Sequence, residues 1–367
     1  MEPNSSQNPS VQHPSDLDQP RPARELKGRG SPENPANRFE PIEYQAEVLG
    51  PDKVPTQLLR DTSKSILTSN NSPDIPFDFS VNPYRGCEHG CAYCYARPTH
   101  EYLGFSAGLD FETKLLVKEN AAALLRKEFS KPKWEPQVVV MSGITDAYQP
   151  IEKNLELARA CLEVGASFRN PMSIITKNHL VTRDIDILKE MNGWNGTSAF
   201  LSITTLDPEL ASCLEPRAST PSKRLEAVAK LSEAGIPVGV MVAPVIPGLN
   251  EHEIPSILKA AAEAGAASAN YIVLRLPHGL GPLFEAWLER HRPNQTQKVL
   301  NRIRHIRGGK LNDPRFKTRM RGEGVYAKEV AALFELGLKQ ANMKRRRLDL
   351  NTNAFINPRP QQLRLFS

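Results

Sequence analysis

The sequence predicts an α/β protein: a partial (β/α)6 TIM-like barrel with a disordered N-terminal segment and a helical C-terminal region. Three observations predict it. Between residues 79 and 282, short β-branched runs alternate about six times with amphipathic stretches. Alternation at that spacing means right-handed βαβ units and a parallel sheet. Six units fall short of the eight that close a barrel, so an incomplete, curved barrel comes first and an open doubly wound sheet second. After about residue 282 the strand signal stops while helical periodicity continues.

The elements follow in order. Residues 1–40 are rich in Pro, Ser, Asn and charge, a composition expected to be disordered. Residues 41–78 carry small apolar clusters (Val54, Leu58, Leu59, Ile66, Leu67) and read as an N-terminal extension. The barrel spans 79–282. "FSVNPYRG" is a strand entering a cysteine loop, "TKLLVKENAAALLRKEF" has helical periodicity, and "QVVVMSG" is a buried parallel strand. "IEKNLELARACLEVGA" puts Ile151, Leu155, Ala158 and Leu162 on one helical face. Strands "MSIIT", "AFLSITT", "PVGVMVAPVIPG" and "NYIVLRLP" then alternate with helices "RDIDILKEMN", "TPSKRLEAVAKLSEAG" and "EIPSILKAAAEAGA". Gly235 is the expected C′ residue of the second of those helices. Residues 283–350 form a basic helical region, and 351–367 a polar, proline-interrupted flexible tail.

Composition narrows the function classes. The chain has 367 residues, 40% of them hydrophobic, enough for one large domain or two ordinary ones. It has no run of eighteen apolar residues, so no membrane span is expected, and its first twenty residues lack an apolar signal core. Five cysteines, three of them clustered, argue for a metal site in a reducing cytoplasm over a disulfide scaffold. A net charge of +6 permits a polyanionic partner.

The cluster is Cys87, Cys91 and Cys94, spaced C-x3-C-x2-C. A structural zinc site needs four closed ligands. His89 is the nearest fourth candidate, but its place between two of the cysteines makes ring geometry awkward. Cys161 reads as a small apolar residue on its helix, and Cys213 lies in a loop. A 4Fe–4S cluster usually takes four cysteines; given three, one iron stays open to a ligand. The loop follows the first strand, at the C-terminal rim where a β/α barrel places its active site.

"CEHGCAYC", with Tyr93 before the third cysteine, resembles the signature of the radical S-adenosylmethionine superfamily. "YCY" around Cys94 and "APVIPGLNE" are similar to its spore photoproduct lyase-like branch, and "NDPRFKTRMRGEG" resembles an uncharacterised subgroup of that branch. The resemblance implies that Cys87, Cys91 and Cys94 hold a 4Fe–4S cluster whose open iron chelates S-adenosyl-L-methionine. Reduction, by a donor such as flavodoxin or ferredoxin, then yields methionine and a 5′-deoxyadenosyl radical that abstracts hydrogen from substrate. It implies cofactor contacts at Tyr93 and at Ser142, Gly143 and Thr145, where the family's Gly-Gly-Glu-like element meets the amine. The Glu is missing and Asp146 stands nearby; a helix N-cap explains the same residues. Lys177 would meet the methionine carboxylate. Ser202 and Thr204 would reach ribose or carboxylate, or turn into the barrel. Ile246, Pro247 and Gly248 resemble the adenine-contacting element, or form a proline-stiffened turn. Leu274 and Leu276 would line adenine or fill the core. Glu215 and Arg217 read as an ion pair bracing their loop or as ligand contacts. Tyr95 corresponds to the lyase branch's radical-relay tyrosine, or is an aromatic wall beside the cluster. The branch's hydrogen-donating cysteine has no counterpart between Val138 and Gly143.

From Arg302 to Arg347, bases far outnumber acids, a pattern suited to phosphates or to a solvated helical face. The chain ends "QQLRLFS", in which Gln362, Leu363, Leu365 and Phe366 resemble the bacterial sliding-clamp-binding pentapeptide, with Arg364 departing from it. The expected function is a cytoplasmic radical S-adenosylmethionine enzyme, lyase-like, acting on DNA. The alternatives are the same chemistry on RNA, protein or a small molecule, and a non-catalytic Fe–S or zinc module that binds nucleic acid.

Overall fold

The computed structural model describes residues 26–39, 54–343, 345 and 349–358. Among the described residues ten strands form two sheets: β1 (Gln57–Arg60), β2 (Leu67–Ser69), β3 (Phe79–Val81), β4 (Tyr84–Arg85), β5 (Lys114–Val117), β6 (Val139–Met141), β7 (Met172–Thr176), β8 (Thr197–Ser202), β9 (Val238–Val245) and β10 (Ser268–Val273). The main sheet runs β2-β3-β6-β7-β8-β9-β10. From β3 to β10 every neighbouring pair is parallel, while β2 is antiparallel to β3 on the edge. The order follows the chain and never reverses. That is the winding of a six-unit partial barrel; a doubly wound sheet needs a reversal.

Helices cover the outside: α1 (Asp110–Thr113), α2 (Ala121–Phe129), α3 (Glu152–Leu155), α4 (Leu157–Phe168), α5 (Ile185–Asn192), α6 (Pro208–Leu214), α7 (Pro221–Glu233) and α8 (Ile254–Glu263). The central strands are therefore buried on both faces: Val139, Met141, Met172, Ile174, Leu201 and Val240 are fully enclosed on one, and Val140, Ser173 and Ser198 are buried on the other. Each such apolar side chain contributes about 1.5–3 kcal/mol by leaving water. Helix α7 illustrates the local logic. The Thr220 hydroxyl accepts from Lys223 N, Pro221 opens the first turn, and Gly235 follows the last at φ +79°.

Four differences from the sequence reading stand out. "KLLV", expected to be helical, is β5, paired parallel to β1 and antiparallel to β4. Leu115 and Val117 are its buried positions, a period of two inside a run too apolar to display it. Within the segment 1–40 expected to be disordered, residues 26–39 are seated: Leu26, Ser31 and Asn37 are buried. Polar composition hid this, because the partners are mostly backbone groups and the buried carboxylates of Glu112, Asp110 and Glu101 rather than apolar surface. Within the tail 351–367, residues 351–358 also pack: Ile356 N donates to Phe168 O at 2.9 Å, and the Phe355 ring lies 6.1 Å from that of Phe168. The basic region is largely spent on internal partners. Arg302 pairs with Glu251, Arg307 donates to the carbonyls of Val273 and Leu274, Arg315 pairs with Asp313, Arg319 with Asp74, and Arg345 with Glu335.

That region comprises α9 (Leu280–His291), α10 (Thr296–Ile306), α11 (Thr318–Arg321) and α12 (Gly324–Gln340). Helix α12 docks on α8 where Gly337 leaves room; a Cβ there would sit 2.7 Å from Leu258 Cδ1. Among the described residues no helix is long and apolar enough to cross a membrane. The clamp-like motif at Gln362, Leu363, Leu365 and Phe366 lies outside the described residues.

Candidate active site

The cysteine loop runs from β4 to the short 3-10 helix Arg97–Leu103, at the end of the sheet where β3, β6, β7, β8 and β9 terminate. Its three thiols are free; Cys87 and Cys91 are buried and Cys94 is partly exposed. Burial raises all three thiols above their usual range. After burial, Asp146 pushes Cys87 up further and Glu215 does the same to Cys91, while Lys177 pulls Cys91 and Cys94 the other way. The unloaded loop thus keeps its protons, and binding a metal group must displace them. Among the described residues no three His, Cys, Asp or Glu side chains are grouped to hold a single ion.

The loop is built by glycine and held by charge. Gly90 has φ +67°, and a Cβ on it would lie 2.8 Å from the Glu112 carboxylate. The Arg97 guanidinium, fully buried, donates to Cys91 O at 3.0 Å and Gly108 O at 2.8 Å, and pairs with Glu112 at 2.5 Å. Glu112 also accepts from Gly30 N (3.0 Å) and Ser31 N (2.9 Å). The segment 26–39 therefore straps the loop from outside. Its crossing is close: a Cβ on Gly30 would fall 1.7 Å from Gly90 O. From the barrel side, Gln149 accepts from Glu88 N (2.8 Å) and Arg217 pairs with Glu88 (3.1 Å). Loop sequence reasoning found the cysteines but missed Arg97, Glu112 and Gln149. Arg97 sits within "CYAR", close enough to be suspected. Glu112 and Gln149 carry no local signal.

The other candidates divide sharply. Asp146 is a brace. Its carboxylate accepts from Thr176 Oγ1 (2.8 Å), Tyr148 N (2.9 Å) and Lys177 N (2.8 Å), and faces His89 Nδ1 at 3.4 Å. Burial alone would raise its pKa, but His89 and these hydrogen bonds bring it down to about 2. His89 spends its other nitrogen 3.3 Å from Asn178 Nδ2, so both ring nitrogens face away from a fourth-ligand role. Thr145 Oγ1 donates to Tyr84 O (2.8 Å), and Ser142 Oγ, at a residue with φ +75°, accepts from Ala147 N (2.8 Å). Both hydroxyls shape the turn after β6. Gly143 admits β3: a Cβ would sit 2.7 Å from Ser80 Cβ.

Tyr93 is buried, with its hydroxyl between Glu215 and Thr204. Glu215 pairs with the buried Arg224 rather than with Arg217, which correct sequence reading would have needed α7 to supply. Burial raises the Glu215 carboxyl, and Arg224, Lys177 and its hydrogen bonds bring it below the usual range. Lys177 lies with Nζ 5.9 Å from the Tyr93 ring centroid and has no ion pair among the described residues. Ser202 is buried, and its carbonyl accepts from Arg224 (2.9 Å). Ile246 joins Cys91, Tyr93, Leu249, Leu274 and Leu276 in one apolar cluster. Asn250, unnoticed in the sequence, fixes this turn by accepting from Ile246 N (2.6 Å) and donating to Thr204 O (2.8 Å). Pro247 is buried beside it. Gly248, at φ +93°, makes room for α10: its Cβ would meet Arg302 Cδ at 3.2 Å. Tyr95 is 47% exposed, donates to Gly143 O at 2.8 Å, and has the Arg275 guanidinium 5.7 Å from its ring centroid.

A loop of three thiols at the strand ends of a six-unit partial barrel, beside a lysine and an apolar slot, defines a class. The chain belongs to the radical SAM superfamily, whose sequence pattern matches residues 81–261; it is a radical SAM enzyme. An uncharacterised protein of Mycobacterium tuberculosis is 36% identical over 254 residues, 68% of this chain and 74% of that one. The spore photoproduct lyase of Bacillus subtilis is 29% identical over 175 residues, 46% of each chain. Among solved structures, spore photoproduct lyase complexed with dinucleoside spore photoproduct shares the fold, with a TM-score of 0.56 at 18% identity, covering 77% of this chain and 79% of that one.

Proposed function

We propose that this enzyme holds a 4Fe–4S cluster on Cys87, Cys91 and Cys94, binds S-adenosyl-L-methionine beside it, and acts on DNA. The observation that carries the cofactor reading is the donor set. Three free thiols share one braced loop, while His89 is committed to Asp146 and Asn178. Thiolates on separate corners of a cluster need not converge on one point, as ligands of a single zinc ion must. When bound, such a cluster supplies the electron that splits the cofactor's sulfonium into methionine and a 5′-deoxyadenosyl radical.

The chain's own groups then have distinct tasks. Lys177, unpaired, attracts the methionine carboxylate. Ile246, Leu274 and Leu276 offer the apolar slot for adenine. Tyr93, Glu215, Thr204 and Arg224 form a buried network that fixes the floor. Tyr95 reaches from the loop to the turn after β6 with its side chain exposed, and is the residue assigned to substrate contact. The DNA reading is supported by the relationship to spore photoproduct lyase, a protein solved with a dinucleoside photoproduct. A cytoplasmic setting and a flavodoxin- or ferredoxin-type donor accompany it.

The test is anaerobic reconstitution with iron and sulfide, reduction by dithionite, and chromatography of the products. We expect 5′-deoxyadenosine and methionine from wild type and neither from Cys94→Ala. Ultraviolet-irradiated DNA should raise the yield. If undamaged and irradiated DNA both leave it unchanged, DNA is not the substrate and the RNA, protein or small-molecule alternatives take its place.

A further inference from the structure

Two polar groups packed beside the cysteine loop are not used by the cofactor reading. Asn82 directly follows β3, and both its Nδ2 and Oδ1 are shielded from solvent without a hydrogen-bond partner. Arg275 follows β10, and its Nε is likewise shielded and unpartnered. Its Nη1 reaches only the Met320 thioether, at 3.8 Å. No carboxylate pairs with Arg275 among the described residues; the nearby Asp74 is held by Arg319 at 2.6 Å. Burial, and then Arg319, lower the Arg275 guanidinium rather than support its charge.

The two groups flank one contact. Arg275 lies against the Tyr95 ring at 5.7 Å, Tyr95 donates to Gly143 O at 2.8 Å, and a Cβ on Gly143 would come 3.9 Å from Asn82 Nδ2. An unsatisfied buried polar group is costly, and a half-buried cation without a paired carboxylate costs more. Among the described residues, neither the Asn82 carboxamide nor Arg275 Nε has a hydrogen-bond partner that would account for it. A ligand explains both.

We infer that Asn82 and Arg275 form a substrate subsite around Tyr95 that takes one nucleotide unit. The carboxamide meets a base edge with a donor beside an acceptor, and the guanidinium meets the adjoining phosphodiester. A planar amide offers two donors and one acceptor and pairs with such edges. A guanidinium is the side chain best suited to a phosphate. The inference rests on the DNA reading above and adds the residues that select the base and the backbone separately.

The test measures equilibrium binding to the reconstituted holoenzyme of two fluorescent probes: a thymidine decanucleotide and an abasic phosphodiester of the same length. Asn82→Leu should weaken the thymidine probe about tenfold, a change of ~1.4 kcal/mol, and leave the abasic probe unchanged. Arg275→Gln should weaken both about tenfold. Asn82→Leu should also melt no lower than wild type, because it removes an unsatisfied amide; Asn82→Ala replaces it if leucine is not accommodated. If wild type binds both probes and neither variant alters either, the subsite is overturned while the DNA reading stands. If Asn82→Leu weakens both probes equally, base recognition by Asn82 is overturned. If wild type binds neither probe, the DNA reading fails and the subsite with it.

Discussion

Several side chains in this enzyme do one of two jobs, and burial with partners tells them apart. Asp146, Glu215, Arg97 and Glu112 are charged, enclosed and fully engaged, so they hold shape. Among the described residues Lys177 has no ion pair, and Asn82 and Arg275 Nε have no hydrogen-bond partner. His100 belongs to neither group, being enclosed and held on one side only, with its buried Nδ1 lacking a hydrogen-bond partner among the described residues. It is fully buried behind the cysteine loop, with Nε2 2.9 Å from Lys114 O, and burial takes its pKa from 6.5 down to about 4. Between those values the unfolded chain binds a proton that the folded one refuses. Its contribution to stability is therefore present above pH 6.5, falls as pH drops, and is lost by pH 4, about 3 kcal/mol in all. Urea midpoints should decline over that window, and His100→Gln, which keeps a donor for Lys114 O, should flatten the decline. At this scale the sequence was legible for the thiols, whose spacing is itself the signal. It was silent on Glu112 and Arg224, because a buried partner contributed from another element leaves no pattern in its own neighbourhood.

At the scale of elements, the parallel strands and their covering helices were readable because β-branched runs and 3.6-residue periodicity are local properties. What sequence misjudged were segments whose stability comes from a surface elsewhere. β5 exists because β1 and β4 lie on either side of it, and 26–39 is seated because Glu112 awaits two backbone N–H donors. The strap makes a prediction. Gly30→Ala places a methyl group into Gly90 O, so the segment must lift and leave Glu112 short of donors. Amide hydrogen exchange across 87–97 should accelerate by an order of magnitude or more, corresponding to the roughly 1–3 kcal/mol of charged hydrogen bonding removed. Exchange equal to wild type would mean that the loop stands without its strap.

For the molecule as a whole, the C-terminal helices are joined to the barrel through close contacts at Gly248 and Gly337, and Arg302, Arg307, Arg319 and Arg321 bond across to Glu251, the Val273 and Leu274 carbonyls, Asp74 and Asn270. Counting bases along the sequence overstated the charge free to meet a polyanion, since salt bridges between distant positions are invisible in a linear count. On the proposed DNA reading, the clamp-like motif at 362–366 then becomes the stronger candidate for recruitment. Removing residues 361–367 should abolish binding to the bacterial sliding clamp, measured by surface plasmon resonance, and leave the fold's melting temperature unchanged; retained clamp binding would discard that motif. The unmatched cations at the mouth have one more consequence. Lys177 and Arg275 have no paired carboxylate among the described residues, and the field of such cations reaches outward about one Debye length, ~8 Å in physiological salt. Anionic molecules drifting past are drawn to the opening and arrive oriented, whereas neutral ones must find it by chance.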